Sequence, residues 1–183
     1  VIFAEDGRLI GDSTDGPAIA AAIASEIEET YRGSVLVLGA GGSARAAAAA
    51  LAQDGCAVQI YARRFEAAEA LACGLASCGN VVAVAELPDP VGGVVVNCTP
   101  VGAFVDPDGI PLPASRLLDV RVVVDLAYRA DATPTPLITA AAETGCAVVD
   151  GLEVLARQGS KALEIWTGES APLEVMLAAA RGD

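Results

Sequence analysis

Several short stretches carry residues whose types and spacing can do chemistry. Ser13-Thr14-Asp15-Gly16 sets a carboxylate between hydroxyls and a glycine, just ahead of a long apolar helix. On local grounds Asp15 is a helix cap, because Ser, Thr and Asp are the usual N-cap residues and Gly-Pro suits a helix start. The alternative is that Asp15 is one half of an active site. Gly39-Ala40-Gly41-Gly42-Ser43-Ala44 follows a short β-branched run and opens an Ala-rich helix. In that setting Gly39 allows a tight turn, Gly41 lets the backbone approach a pyrophosphate, and Ala44 permits close helix–strand packing. The helix N-terminus adds N–H donors. The competing reading is that small residues here merely ease packing.

The next stretch chooses between cofactors. Tyr61-Ala62-Arg63-Arg64 ends the second strand, where an NAD site usually carries Asp or Glu for the ribose 2′-hydroxyl. Two guanidiniums suit a 2′-phosphate instead, because the planar fork binds phosphate bidentately and keeps its charge. NADP is therefore predicted over NAD. A purely solvated Arg pair is disfavoured, since the first turn of a helix repels cations. Asn97-Cys98-Thr99-Pro100-Val101-Gly102 and Asp125-Leu126-Ala127-Tyr128 end two further apolar runs. The carboxyl ends of parallel strands face a ligand crevice, so these residues either meet the ribose and nicotinamide side or form ordinary turns. Asp150-Gly151-Leu152 opens a helix on which Val154 and Gln158 share one face. Alone, such a Gln is more often a surface residue.

These residues need elements to hold them. An Asp-Gly turn between two apolar runs predicts a β-hairpin over 1–12. Helices are predicted over Pro17–Tyr31, Ser43–Gln53, Phe65–Ala76, Pro136–Glu143, Leu152–Trp166 and Ala171–Arg181. Strands are predicted at 34–40, 56–62, 81–85, 93–98, 120–127 and 146–150. The strands are continuous apolar runs rather than alternating ones. That pattern predicts an α/β fold, Rossmann-like and doubly wound, with a mostly parallel sheet and helices on both faces.

Composition narrows the chemistry. The 183 residues contain no histidine, which excludes a His-based triad, a His metal site and a His proton relay. No metal site is predicted. Net charge is −13, which disfavours nucleic acid and anionic membranes as partners. The five cysteines form no CxxC pair and point to a reducing, cytoplasmic setting. No apolar run approaches the ~18 residues of a spanning helix.

Taken in order, STDG (13–16), GAGGSAR (39–45), ARR (62–64), NCTPVG (97–102), DLAY (125–128) and DGLEVLARQG (150–159) resemble the shikimate/quinate dehydrogenase family, and its carboxy-terminal domain in particular. The resemblance implies that Asp15 is the catalytic aspartate and that Ser13, Thr14, Tyr128 and Gln158 reach substrate. It implies that Gly39, Ala40, Gly41, Gly42, Ser43 and Ala44 hold the pyrophosphate. Arg63, with Arg64 and Ala62 beside it, would take the adenosine 2′-phosphate. Thr99, Pro100, Val101, Leu126, Gly151 and Val154 would lie along ribose and nicotinamide.

The implied reaction is hydride transfer between NADPH and 3-dehydroshikimate. In the family a lysine of the amino-terminal domain shares proton transfer with the aspartate, and no residue here occupies that position. Residues 1–12 would then be the last hairpin of a missing substrate domain, 13–170 the NADP domain, and 171–183 a helix returning to that missing domain. The isolated chain is expected to be inactive, and a homodimer is compatible with it. A quinate-type polyol dehydrogenase and a non-catalytic NADP-binding module are the alternatives. Family members usually carry Asn where Ser13 stands, Asn where Ala62 stands and Met where Val154 stands.

Overall fold

The computed structural model describes residues 2–27 and 31–182. A hairpin, β1 (Ile2–Glu5) and β2 (Arg8–Gly11), turns at Asp6-Gly7, where both residues have positive φ. That is the two-residue turn whose twist matches a right-handed strand pair. Then follow α1 (Asp15–Glu26), β3 (Ser34–Leu38), α2 (Gly42–Gln53), β4 (Ala57–Tyr61), α3 (Phe65–Gly74), β5 (Val81–Val84) and β6 (Gly93–Asn97). After a 3-10 turn at Ala114–Arg116 come β7 (Val120–Asp125), α4 (Pro136–Glu143), β8 (Ala147–Val149), α5 (Gly151–Thr167) and α6 (Leu173–Arg181).

Six strands form one parallel sheet in the order β5-β4-β3-β6-β7-β8, with the hairpin separate. This is the doubly wound order expected from the strand pattern. Its direction of winding reverses between β3 and β6, and open α/β sheets bind their ligands at such a point. Right-handed crossovers place α2 and α3 on one face, and the reversal puts the connections of β6, β7 and β8 on the other.

The core divides accordingly. Val35, Val37, Val94, Val96, Val122 and Val124 pack under α1, α2, α3 and the start of α5. Leu36, Leu38, Val95 and Val123 pack under Leu112, Leu117 and Leu137. The second face is covered mainly by α4 and by the loops around 87–91 and 112–117, because neither β5→β6 nor β6→β7 contains a long helix. Successive strand residues are buried on alternate faces, which is why the strands read as unbroken apolar runs.

Several boundaries differ from the sequence pattern. The first helix starts at Asp15 rather than Pro17, with Thr14 as N-cap, and ends at Glu26, where Ile27 is extended. Residues 28–30, within the expected helix, lie outside the described residues. The expected end at Tyr31 fails because Tyr31 is non-helical and its hydroxyl donates to Ser34 O at 2.8 Å, part of the turn into β3. The helix after β4 stops at Gly74, and the last one begins at Leu173. Gly16 explains how closely α1 packs on α2. A Cβ there would lie 2.7 Å from Ala46 O and 2.9 Å from Ala50 Cβ.

Candidate functional site at the sheet switch point

β3 ends in Gly39, whose φ of +109° is a conformation that favours glycine. A Cβ at Gly39 would also come within 3.3 Å of Cys98 and Thr99 from the neighbouring strand end, so only glycine fits without movement. Gly41 and Gly42 differ. Neither has positive φ, and a Cβ on either would meet nothing within 4 Å. Nothing within the protein therefore requires glycine at these two positions. They begin α2, whose N-cap, Gly41, supplies no side-chain acceptor to the first-turn N–H groups. The result is open space above unsatisfied, outward-pointing donors, which is what an anion at a helix N-terminus uses. The residues present fit a dinucleotide pyrophosphate on that ground.

One strand away, β4 hands over to α3 through Ala62, Arg63 and Arg64. Arg63 and Arg64 are exposed, and neither guanidinium has a salt-bridge or hydrogen-bond partner among the described residues. Gly39 N donates to Tyr61 O at 2.8 Å, joining the glycine turn to this corner.

Across the switch point, the ends of β6 and β7 carry a buried polar web. Asp125 and Asn97 are both completely buried. Asp125 Oδ1 accepts from Asn97 Nδ2 at 2.7 Å and from Ala127 N at 3.0 Å, and Oδ2 accepts from Thr135 Oγ1 at 2.5 Å. Asn97 Oδ1 accepts from Thr99 N at 3.0 Å and from Thr99 Oγ1 at 2.7 Å. Burial pushes the Asp125 carboxyl up to about 6, although all three of these hydrogen bonds pull it down. The neighbouring Cys98 thiol is pushed up to about 12, by burial first and then by the Asp125 and Asp15 carboxylates.

These strand ends thus meet the crevice differently from the simple expectation. Asn97 and Asp125 turn inward and shape the loops, and the Thr99 hydroxyl gives its proton to Asn97. Thr99 and Leu126 remain half-buried, Pro100 and Tyr128 exposed. Arg129 braces the same region, with Nε donating to Gly102 O at 3.2 Å and Nη2 to Pro107 O.

The third wall comes from α1 and α5. Asp15 is not the N-cap but the first helical residue, and a carboxylate there suits the positive end of the helix dipole. It is half-buried, and its carboxylate has no hydrogen-bond or ion-pair partner among the described residues. Beside it the buried Thr14 donates through Oγ1 to Gln158 Oε1 at 3.2 Å, while Gln158 Nε2 donates to Leu155 O. The adjacent Thr14 and Asp15 therefore stand together with Gln158 from a distant part of the sequence. Gly151 lets α5 begin against β7, since a Cβ there would lie 2.8 Å from both Leu126 O and Ala127 O. Val154 is buried in the core beneath this edge. Ser13 is exposed.

Sequence reasoning missed Thr135 and Arg129. Thr135 was legible as the N-cap of a helix starting with Pro, but nothing local tied it to Asp125 ten residues earlier. Lys161 is exposed on α5 and pairs with Glu164 at 2.9 Å. Among the described residues no group of three or more His, Cys, Asp or Glu could hold a metal ion, and no helix is long and apolar enough to cross a membrane.

Comparison with known proteins agrees with this fold. Residues 151–181, which form α5 and α6, match the family model described as the shikimate 5′-dehydrogenase C-terminal domain. A curated relative, the shikimate dehydrogenase (NADP(+)) of Methanocaldococcus jannaschii, is 36% identical over 94% of this chain and 63% of its own length. A crystal structure of a shikimate dehydrogenase in complex with NADP+ superposes with a TM-score of 0.84 at 34% identity, covering 98% of this chain and 64% of that one. The ligand-free 5-ketofructose reductase of Gluconobacter sp. strain CHM43 superposes with the same TM-score at 29% identity, over 99% of this chain and 67% of that one. The chain spans 55% to 63% of the length of the first three curated relatives.

Proposed function

The chain belongs to the shikimate dehydrogenase family, and from that premise we propose that it is the cofactor-binding part of an NADP-dependent enzyme interconverting 3-dehydroshikimate and shikimate. The observation that carries the cofactor reading is the pairing of two features. One is the open, uncapped N-terminus of α2 above Gly41 and Gly42. The other is the pair of unpartnered guanidiniums, Arg63 and Arg64, at the end of the adjacent strand. In a chain of net charge −13, these are the groups that hold a dinucleotide's pyrophosphate and its 2′-phosphate.

Bound NADPH supplies the hydride. The chain's own residues bind and orient: Gly39 to Ala44 seat the pyrophosphate, Arg63 and Arg64 with Ala62 take the adenosine end, and Thr99, Pro100, Val101, Leu126, Gly151 and Val154 line the ribose and nicotinamide side. Tyr128, Ser13, Thr14 and Gln158 face substrate. Asp15, with no internal partner, holds a proton-transfer position at the substrate carbonyl oxygen. Its lysine partner lies outside these 183 residues, in a substrate domain that also receives residues 1–12 and the last helix, so the chain alone turns over no shikimate. The working compartment is the cytoplasm.

A second substrate reading is supported by one position. Ser13 has shorter reach than the Asn usual in the family, and the 29% identical neighbour is named for a different ketone. A quinate-type or other polyol is the substrate on that reading.

Calorimetric titration tests the cofactor assignment. NADP+ is expected to bind this chain more tightly than NAD+. Arg63→Ala should weaken NADP+ by roughly ten- to a hundredfold, the ~1.5–3 kcal/mol of a charged hydrogen bond, and leave NAD+ nearly unchanged. Equal affinity for the two nucleotides in the unmodified chain, or an unaltered preference in Arg63→Ala, overturns it.

A further inference from the structure

The polar web behind the crevice is tied together by internal hydrogen bonds. Asn97, Thr99 and Asp125 come from the strand ends that face the cofactor side, yet their polar groups satisfy one another rather than pointing outward. Such a web carries shape, and its anchor is remote. Thr135 caps α4, with Oγ1 accepting from Ile138 N at 3.3 Å, and the same hydroxyl donates to Asp125 Oδ2. Thr135 is also the surface on which the other loop rests. Gly102, at φ +93°, comes so close that a Cβ there would lie 3.3 Å from Thr135 Cβ. Leu126 N donates to Asn97 O at 3.0 Å, so the two loops are cross-tied at their roots.

We propose that Thr135 is a positioning residue for the nicotinamide side of the cofactor site, acting through Asp125 and Asn97 to fix the loops 97–102 and 126–129. The inference rests on the NADP reading above. The mechanism is simple accounting of a buried carboxylate. Among the described residues Oδ1 has two donors, from β6 and from its own loop, whereas Oδ2 has only Thr135. Without that hydroxyl, one oxygen of a fully buried carboxylate lacks a donor, a costly state that the structure relieves by shifting the loops or admitting water. Either response displaces Thr99 and Leu126. It leaves untouched the arginine corner, which lies one strand farther on, at the end of β4 beyond β3.

Two probes separate this from a general loss of structure. NADP+ spans both halves of the site, and adenosine 2′,5′-bisphosphate reaches only the arginine corner and, through its 5′-phosphate, the start of α2. Thr135→Val, of the same shape but without the donor, should weaken NADP+ at least fivefold and leave adenosine 2′,5′-bisphosphate within twofold. Thr135→Ser should restore NADP+ affinity. Equal weakening of both probes, no weakening of either, or failure of Ser to restore binding overturns the proposal. If Thr135→Val does not fold, Gly102→Ala disturbs the same contact from the loop side, and the same contrast between probes is required of it. Failure of the unmodified chain to bind either probe would instead overturn the NADP reading, and this inference with it.

Discussion

Replacing Asp125 by Asn removes an ionisable group that the fold holds in an unfavourable state, and the consequence is a specific change in how stability depends on pH. Asp125 is buried, and its carboxyl rises from an ordinary 3.8 to about 6. The sign follows directly. Between those two values the folded protein binds the proton more tightly than the unfolded chain, so the group's contribution is fully present below about pH 4. It is lost as pH rises through about 6. A shift of some two pH units corresponds to about 3 kcal/mol in all, of which roughly 2 kcal/mol disappears between about pH 4 and pH 6.

Asn preserves the shape of the web. Its oxygen accepts from Asn97 and Ala127, and its NH2 group donates to the Thr135 hydroxyl, but it carries no charge to desolvate. Urea unfolding of both proteins at a series of pH values isolates the effect, because every other carboxylate is shared. Asp125→Asn should gain about 2 kcal/mol relative to the unmodified protein over that interval and then level off near pH 7. A difference that stays flat, or that shrinks as pH rises, refutes the claim that burial outweighs the three hydrogen bonds.

The glycines at two helix starts should respond in opposite ways. Gly16→Ala forces a Cβ to within 2.7 Å of Ala46 O and should cost ~1–3 kcal/mol in thermal or urea unfolding. Gly41→Ala meets nothing inside the protein and should change stability by less than about 1 kcal/mol, while NADP+ affinity falls at least tenfold. Comparable destabilisation by both, or undiminished binding by Gly41→Ala, would contradict the assignment of open space to a ligand. A maleimide reagent followed by peptide mapping should label exposed Cys73 first and Cys98 last, its thiol being held near 12. Labelling of Cys98 at the rate of Cys73 would show that the β6 end is not closed.

Much of this architecture is legible in the residues themselves. Unbroken valine runs at 94–96 and 122–124 can only be buried on both faces, so they announce a parallel sheet before any pairing is known. Thr135-Pro136 marks a helix start unambiguously, and that helix has the expected limits. The first helix was harder. Its apolar spacing continues past Glu26 through Ile27 and Tyr31, yet Ile27 is already extended, and local pattern carries no information about that change. Asp15 likewise sits one residue inside its helix rather than capping it, a distinction that rests on backbone angles.

The largest gap concerned direction. A polar residue at a strand end reads the same whether it faces a ligand or turns inward. Asn97 and Asp125 turn inward because Thr135, on the next helix, completes a buried acceptor set. That pairing is set by the way β7 and α4 pack, not by neighbouring residues.

Trp166, near the end of α5, donates through Nε1 to Ile2 O at 3.3 Å in β1, and α6 packs back along α5, with Met176 against Gly159. β1 thus meets the C-terminal end of α5, whereas Arg181, at the end of α6, pairs with Asp150 at the other end of α5 at 2.9 Å. Residues 2 and 182 therefore stand near opposite ends of a 17-residue helix, and a linker joining them would have to span on the order of 20 Å, about seven extended residues.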